Sequence, residues 1–236
     1  MPVREYRWRH LALLISILLL FVVAPFVVPL RHGILVMNVI SAAVMVAGSY
    51  ALSERKHLFA IAVVLSAITI VGTGLLLVFR QPWALLISHS SIVVLIAFFC
   101  VTILSYVLES GRVTADKIFA AICVYMLIGY GWTFVYSLLL ELQPQSFAAT
   151  SEVARNDYVG RILQLRFFSF VTLTAVGYGD IVPRSPAART MTILEAVMGQ
   201  FYLVALIGRL VGLHIVYGSD PRSRASLSRR RKPGRV

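Results

Sequence analysis

Acidic residues are scarce in this chain: ten Asp and Glu stand against 22 Lys and Arg in 236 residues, a formal net charge of +12. Charge of either sign makes up only 14% of the sequence, and between Ala84 and Leu108 there is no Arg, Lys, Asp or Glu at all. Cysteine is limited to Cys100 and Cys123, both inside apolar runs. They carry neither a disulfide nor a metal-ligand signal and report nothing about redox compartment. No nucleophile–base pair, metal-ligand spacing, phosphate-binding loop or internal repeat is present, so an enzyme reading has no residues to stand on and no cofactor is implied. The basic excess does not indicate nucleic acid either, because its placement is wrong. Arg4, Arg7 and Arg9 precede the first apolar run, and Arg222, Arg224, Arg229, Arg230, Arg231, Lys232 and Arg235 follow the last. Such clusters mark the cytoplasmic flanks of membrane segments.

What is abundant is hydrocarbon. The chain is 59% hydrophobic with a mean hydropathy of +0.85, more apolar surface than a soluble domain of this length can hide. Six runs approach the ~20 residues that cross a bilayer as a helix: 11–30, 34–52, 58–79, 84–108, 118–140 and 187–216. Pro25 and Pro29 are expected to end or kink the first near its outer end. That run is longer than a signal-peptide core and lacks a clear cleavage site, so a retained helix is expected. With six spans both termini share one side. A cytoplasmic N-terminus then puts fourteen basic residues inside, with Arg55, Lys56, Arg112 and Lys117 joining the terminal clusters. The outer loops of the first four helices hold only Arg31 and Arg80.

The loop from 141 to 186 differs from the others. It opens polar, "ELQPQSFAATSEVARNDYVGR", turns apolar in "ILQLRFFSFVTLTA", and ends in "TLTAVGYGD". Its apolar piece of about fourteen residues would reach only ~20 Å as a helix, too short to cross but suited to re-entry. Irregular backbone at membrane depth is tolerated only where protein buries it or it lines water. Thr174 to Asp180 are therefore expected to line an aqueous pore and present carbonyls to a desolvated ion.

Here the sequence resembles the pore domain of tetrameric potassium channels. Thr174-Ala175-Val176-Gly177-Tyr178-Gly179-Asp180 is similar to their selectivity filter. Pro183 follows the Asp, and Gly199 falls twenty residues after Gly179, where family inner helices often carry a hinge glycine. The resemblance covers roughly residues 118 to 216. It implies an all-α membrane protein with six transmembrane helices, a re-entrant pore helix and a filter loop, assembled as a homotetramer. Rings of carbonyls from Ala175, Val176, Gly177 and Tyr178 would coordinate K+, the transported ion, with Gly179 completing the filter. Gly177 and Gly179 would permit the backbone angles that aim carbonyls at one axis. Val176 and Tyr178 would pack behind it. Thr174, Asp180, Glu141 and Glu195 are expected to support the filter, Glu141 by holding backbone beyond it. Gln200, Leu203, Ile207 and Val211 are expected to line the pore.

The resemblance also has gaps. Ala175 stands where many members have a Thr hydroxyl, Val171 where some carry a Glu, and Phe167 where many have a Trp that donates to the Asp. Neither Val nor Phe can hydrogen-bond Asp180. The charge-free fourth helix lacks the repeated Arg or Lys of a voltage sensor, so only weak voltage dependence is expected. His89 in that helix reads either as an interhelical hydrogen bond or as a proton sensor. Glu195 lies off the pore-lining stripe and faces the pore helix or helix five, either bracing Ser169 or another pore-helix group or tuning charge near the cavity. Arg209 is expected to snorkel or meet an acid.

The organisation expected is a cytoplasmic N-terminus (1–10), a four-helix sensor-like domain without gating charges (11–108), a linker (109–117), a pore domain (118–216) and a basic cytoplasmic tail (217–236). The tail would anchor at the bilayer surface or bind anionic lipids. With only twenty residues after the last helix, no ligand-binding gating domain is expected there. The location expected is the plasma membrane. The rival class is a non-conducting membrane scaffold or regulatory subunit.

Overall fold

A computed structural model describes residues 9–27, 33–53, 55–79, 81–109, 114–149 and 158–218, with the side chains of 33–35, 207 and 210–218 excluded. The basic tail beyond 218, Pro29 and the first eight residues thus lie outside the described residues, as do the side chains of Ile207 and Val211.

The chain is mostly helical. In order it forms α1 (Arg9–Val27), α2 (Gly33–Ala51), α3 (Lys56–Phe79), α4 (Pro82–Leu108), α5 (Ala115–Leu142), β1 (Phe147–Ala149), α6 (Tyr158–Leu173), β2 (Ile181–Pro183) and α7 (Pro186–Gly218). Among the described residues, four helices are long and apolar enough to cross a membrane: α1, α3, α4 and α5. Within α2 the apolar helix described is Val36–Ala51. Local chemistry explains several boundaries. Pro82 opens α4, where its missing N–H costs nothing. Thr114 caps α5 by accepting from the Lys117 N–H at 3.3 Å. The first helix contains Pro25 and ends two residues later.

The α1–α4 unit packs on α5 through one apolar core, in which Leu13, Ile17 and Leu20 of α1 join Phe99 and Ile103 of α4 and Val124 and Leu127 of α5. At one end of this core His10 Nδ1 lies 2.7 Å from Asp116 Oδ2, and the Tyr106 hydroxyl donates to the same oxygen at 3.0 Å. A polar cluster thereby joins α1, α4 and α5. A second, smaller core gathers Tyr136, Leu165 and Phe168, with Phe147 and Met191 against it. It fixes α6 against α5 and the start of α7.

Two features correct the expectations from sequence. The chain is not purely α-helical, because β1 and β2 pair antiparallel with Phe147 opposite Pro183 and Ala149 opposite Ile181. Three residues per strand are too few for alternation to show in sequence. The fifth helix starts at Ala115, three residues before the expected span, because Thr114 supplies a cap there.

Candidate functional site

The stretch after α6 is arranged by its backbone. The N–H groups of Thr174, Ala175 and Val176 turn back to the carbonyls of Phe170, Thr172 and Val171 at 3.0, 2.9 and 3.0 Å, and Gly177 N–H also reaches Val171 O at 3.4 Å. Those bonds close the helix end and hold the start of the loop to it. Among the described residues, no backbone N–H is bonded to the carbonyls of Ala175, Val176, Gly177 or Tyr178. Carbonyls open in this way are available to a partner from outside the chain.

The backbone angles alternate in a telling way. Ala175, Gly177 and Gly179 have φ of +56°, +61° and +85°. A left-handed residue at every second position turns successive peptide planes, so neighbouring carbonyls can point to the same side. Glycine adopts such angles freely at 177 and 179. Ala175 does so at a cost of about 1–2 kcal/mol, and an alanine marks no such angle in advance. Thr174 is tied down by its own hydroxyl, which donates to Phe170 O at 2.7 Å.

Support comes from the helices behind. The rings of Phe167 and Tyr178 lie parallel, 3° apart in plane with centroids 6.0 Å apart. Phe167 thus braces the loop by ring contact in place of a hydrogen bond. Glu195 of α7 is fully buried, 0% exposed. The Tyr136 hydroxyl lies 2.5 Å from its Oε2, and Ser169 Oγ 2.5 Å from its Oε1. Ser169 Oγ is also 2.7 Å from Gly129 O. A single hydroxyl proton cannot serve two acceptors. Either Ser169 donates to a carboxylate, or a protonated Glu195 donates to Ser169, which then donates to Gly129 O. In both cases one bridge joins α5, α6 and α7 just behind the loop. Tyr136 is the member that sequence reasoning missed, since one hydroxyl in an apolar helix gives no signal of its own.

Gly199 is explained by packing. A Cβ there would collide with the Leu173 carbonyl oxygen, so glycine lets α7 approach the C-terminal end of α6. The helix runs through Gly199 as one element. Beyond it Gln200 is exposed, Leu203 is half-buried, and Phe201 and Val204 are 71% and 69% exposed. Tyr178 is 70% exposed and Val176 55%. In one chain, then, the loop and one apolar side of α7 are bare together.

Two polar residues have partners other than those expected, while His89 makes the interhelical bond that was one of its two readings. Glu141 Oε2 lies 3.8 Å from Arg161 Nη2 on α6, not against backbone beyond the loop. There Arg184 N–H instead donates to Ser146 O at 2.7 Å. Arg209 donates to the carbonyls of Leu108 and Glu109, capping the C-terminal end of α4. His89 Nε2 lies 2.8 Å from the Tyr158 hydroxyl, an interhelical bond from α4 to α6.

This geometry coincides with the region that known proteins share. A family model described as "Ion channel" matches residues 146–213, from just before β1 to near the end of α7. The chain is also similar to the inward rectifier potassium channel Kirbac3.1 of Paramagnetospirillum magnetotacticum, 28% identical over 95 residues. That match covers 40% of this chain and 30% of the relative, so this chain spans less than a third of its length. No solved structure matches significantly. The family match places an ion-channel domain on residues 146–213, the part of the chain that holds the loop and its supporting helices.

Proposed function

We propose that four copies of this chain assemble into a potassium-selective channel that conducts K+ passively across the plasma membrane. The observation that carries this is the loop at 175–179. Its φ is positive at every second residue, and among the described residues no backbone N–H bonds its carbonyls. One such loop cannot replace an ion's hydration shell, whereas four around an axis supply stacked oxygen rings. The bare loop and the bare apolar side of α7 are what symmetric copies would cover. In that assembly α6 is a re-entrant pore helix whose negative C-terminal end favours a cation in the cavity below. The six long helices α1–α5 and α7 span the bilayer with both termini cytoplasmic. Gln200, Leu203, Ile207 and Val211 line the inner pore. K+ is cargo, and no cofactor takes part.

The α4 helix carries no charge between Ala84 and Leu108, so the pore is not strongly voltage-gated. The basic tail anchors the assembly at the inner surface, where anionic lipid adds roughly 1 kcal/mol for each Lys or Arg. Reconstituting the full chain in liposomes with a K+ gradient tests the proposal. Selective K+ flux is expected, and Gly177→Ala should abolish it while tetramers still form. An absence of flux from well-formed tetramers would favour the non-conducting scaffold. Selective flux through Gly177→Ala would show that this loop is not the filter.

A further inference from the structure

Arg166 lies within α6, eight residues before Thr174, at a depth where an unpaired cation is costly. Its guanidinium faces α1, 4.7 Å from the centroid of the Phe21 ring, and Nη1 donates to Leu20 O at 3.4 Å. Neither contact neutralises the charge. The carboxylates of Asp116, Glu109, Glu141 and Glu195 are engaged elsewhere, with His10, with Arg55, with Arg161 and with the Tyr136 and Ser169 hydroxyls.

Arg166 also lines a cavity of about 160 Å³ between the α1–α4 unit and the α5–α6 pair. Asn38, Ser41 and Tyr130 supply neutral hydrogen-bonding groups in its wall, while Leu95 and Phe99 are among its apolar surfaces. A fixed cation, a few neutral polar groups and hydrocarbon walls match a molecule with an anionic head and an alkyl chain. The planar guanidinium fork suits a carboxylate, which it can hold through two parallel N–H donors. At about 160 Å³ the cavity has room for a carboxylate and the methylenes that follow it.

We propose that this cavity binds a long-chain fatty acid, its carboxylate on Arg166 and its first methylenes among the apolar walls, the remainder continuing into surrounding lipid. The site requires only that these helices lie in a bilayer or micelle, and it is independent of conduction. The test is equilibrium binding of radiolabelled palmitate to the purified full chain in uncharged detergent. Saturable binding is expected, with one site per chain. Arg166→Gln should weaken it by about tenfold or more, the loss expected for charge-assisted hydrogen bonds. Arg189→Gln, at an exposed position on α7, should leave it unchanged, and methyl palmitate should not compete. Unchanged binding by Arg166→Gln would overturn the proposal. Equal competition by methyl palmitate or by phosphatidylglycerol would overturn it as well. If Arg166→Gln does not fold, Ser41→Phe decides, because palmitate binding that survives a filled cavity would place the ligand elsewhere.

Discussion

Replacing Tyr136 by Phe removes one hydroxyl from behind the loop. The Tyr136 ring packs against Trp132, Phe147 and Phe168 with centroids 5.1–5.6 Å away, and Phe keeps all of these contacts. What is lost is the hydroxyl 2.5 Å from Glu195 Oε2. A hydrogen bond to a charged group contributes about 1.5–3 kcal/mol, and one between neutral groups about 0.5–1.5. The size of the loss therefore reports the state of the buried acid. A carboxylate predicts a ten- to hundred-fold shift, roughly, in the unfolding equilibrium, and a protonated acid predicts about tenfold or less. Glu195→Gln provides an independent check. The amide can donate to Ser169 and accept from Tyr136, repeating the hydrogen bonds of the protonated acid. If the acid is neutral, Glu195→Gln should fall within about 0.5 kcal/mol of the parent, while Glu195→Ala leaves a cavity and two stranded hydroxyls and costs about 2 kcal/mol or more. Reversible unfolding of the full chain in mixed micelles with SDS measures all three. Potassium flux from the same preparations should decay sooner wherever stability is lost, because the bridge holds α6 behind the loop. A Tyr136→Phe chain as stable as the parent, with unaltered flux, would refute the assigned role of the bridge.

Ala175→Gly should relieve the left-handed strain at φ +56° and stabilise the loop by about 1 kcal/mol, seen as tetramers that survive higher temperature at low K+; a destabilised tetramer would contradict this. Gly199→Ala should push α7 off the Leu173 carbonyl and cost about 1–3 kcal/mol in the same micelle assay, whereas a silent substitution would mean that the close approach is not maintained. Conductance measured against voltage should be shallow, because moving one charge through the field contributes only ~2.3 kcal/mol per 100 mV and α4 offers none between Ala84 and Leu108. A steep curve would require several moving charges and would place them outside α4.

The parts of this protein that were legible in its sequence are those whose physics is local. An apolar run near the bilayer thickness can hardly be anything but a helix in lipid, so the expected spans and the observed helices differ by only a few residues at their ends. Gly177 and Gly179 announce unusual backbone angles because few other residues adopt them. Ala175 announces nothing, and its positive φ is imposed by the glycines beyond it and by the helix end before it. The supporting contacts were harder to foresee because helices in lipid are apolar on every side, and the periodicity that identifies a buried face in a soluble helix is absent. Serine 169 and Glu195 are 26 residues apart, and Tyr136 and Glu195 are 59 apart. Only the packing of three helices brings them together. Arg209 shows the same limit from the other direction. Its charge suggested a headgroup or an acid, yet the open carbonyls at the end of α4 were nearer, and no pattern in sequence marks carbonyls a hundred residues away. Arg166 follows the same logic: its position in the apolar piece was visible from the start, but the cavity that gives the charge a use exists only once α1, α2, α4 and α5 have closed around it.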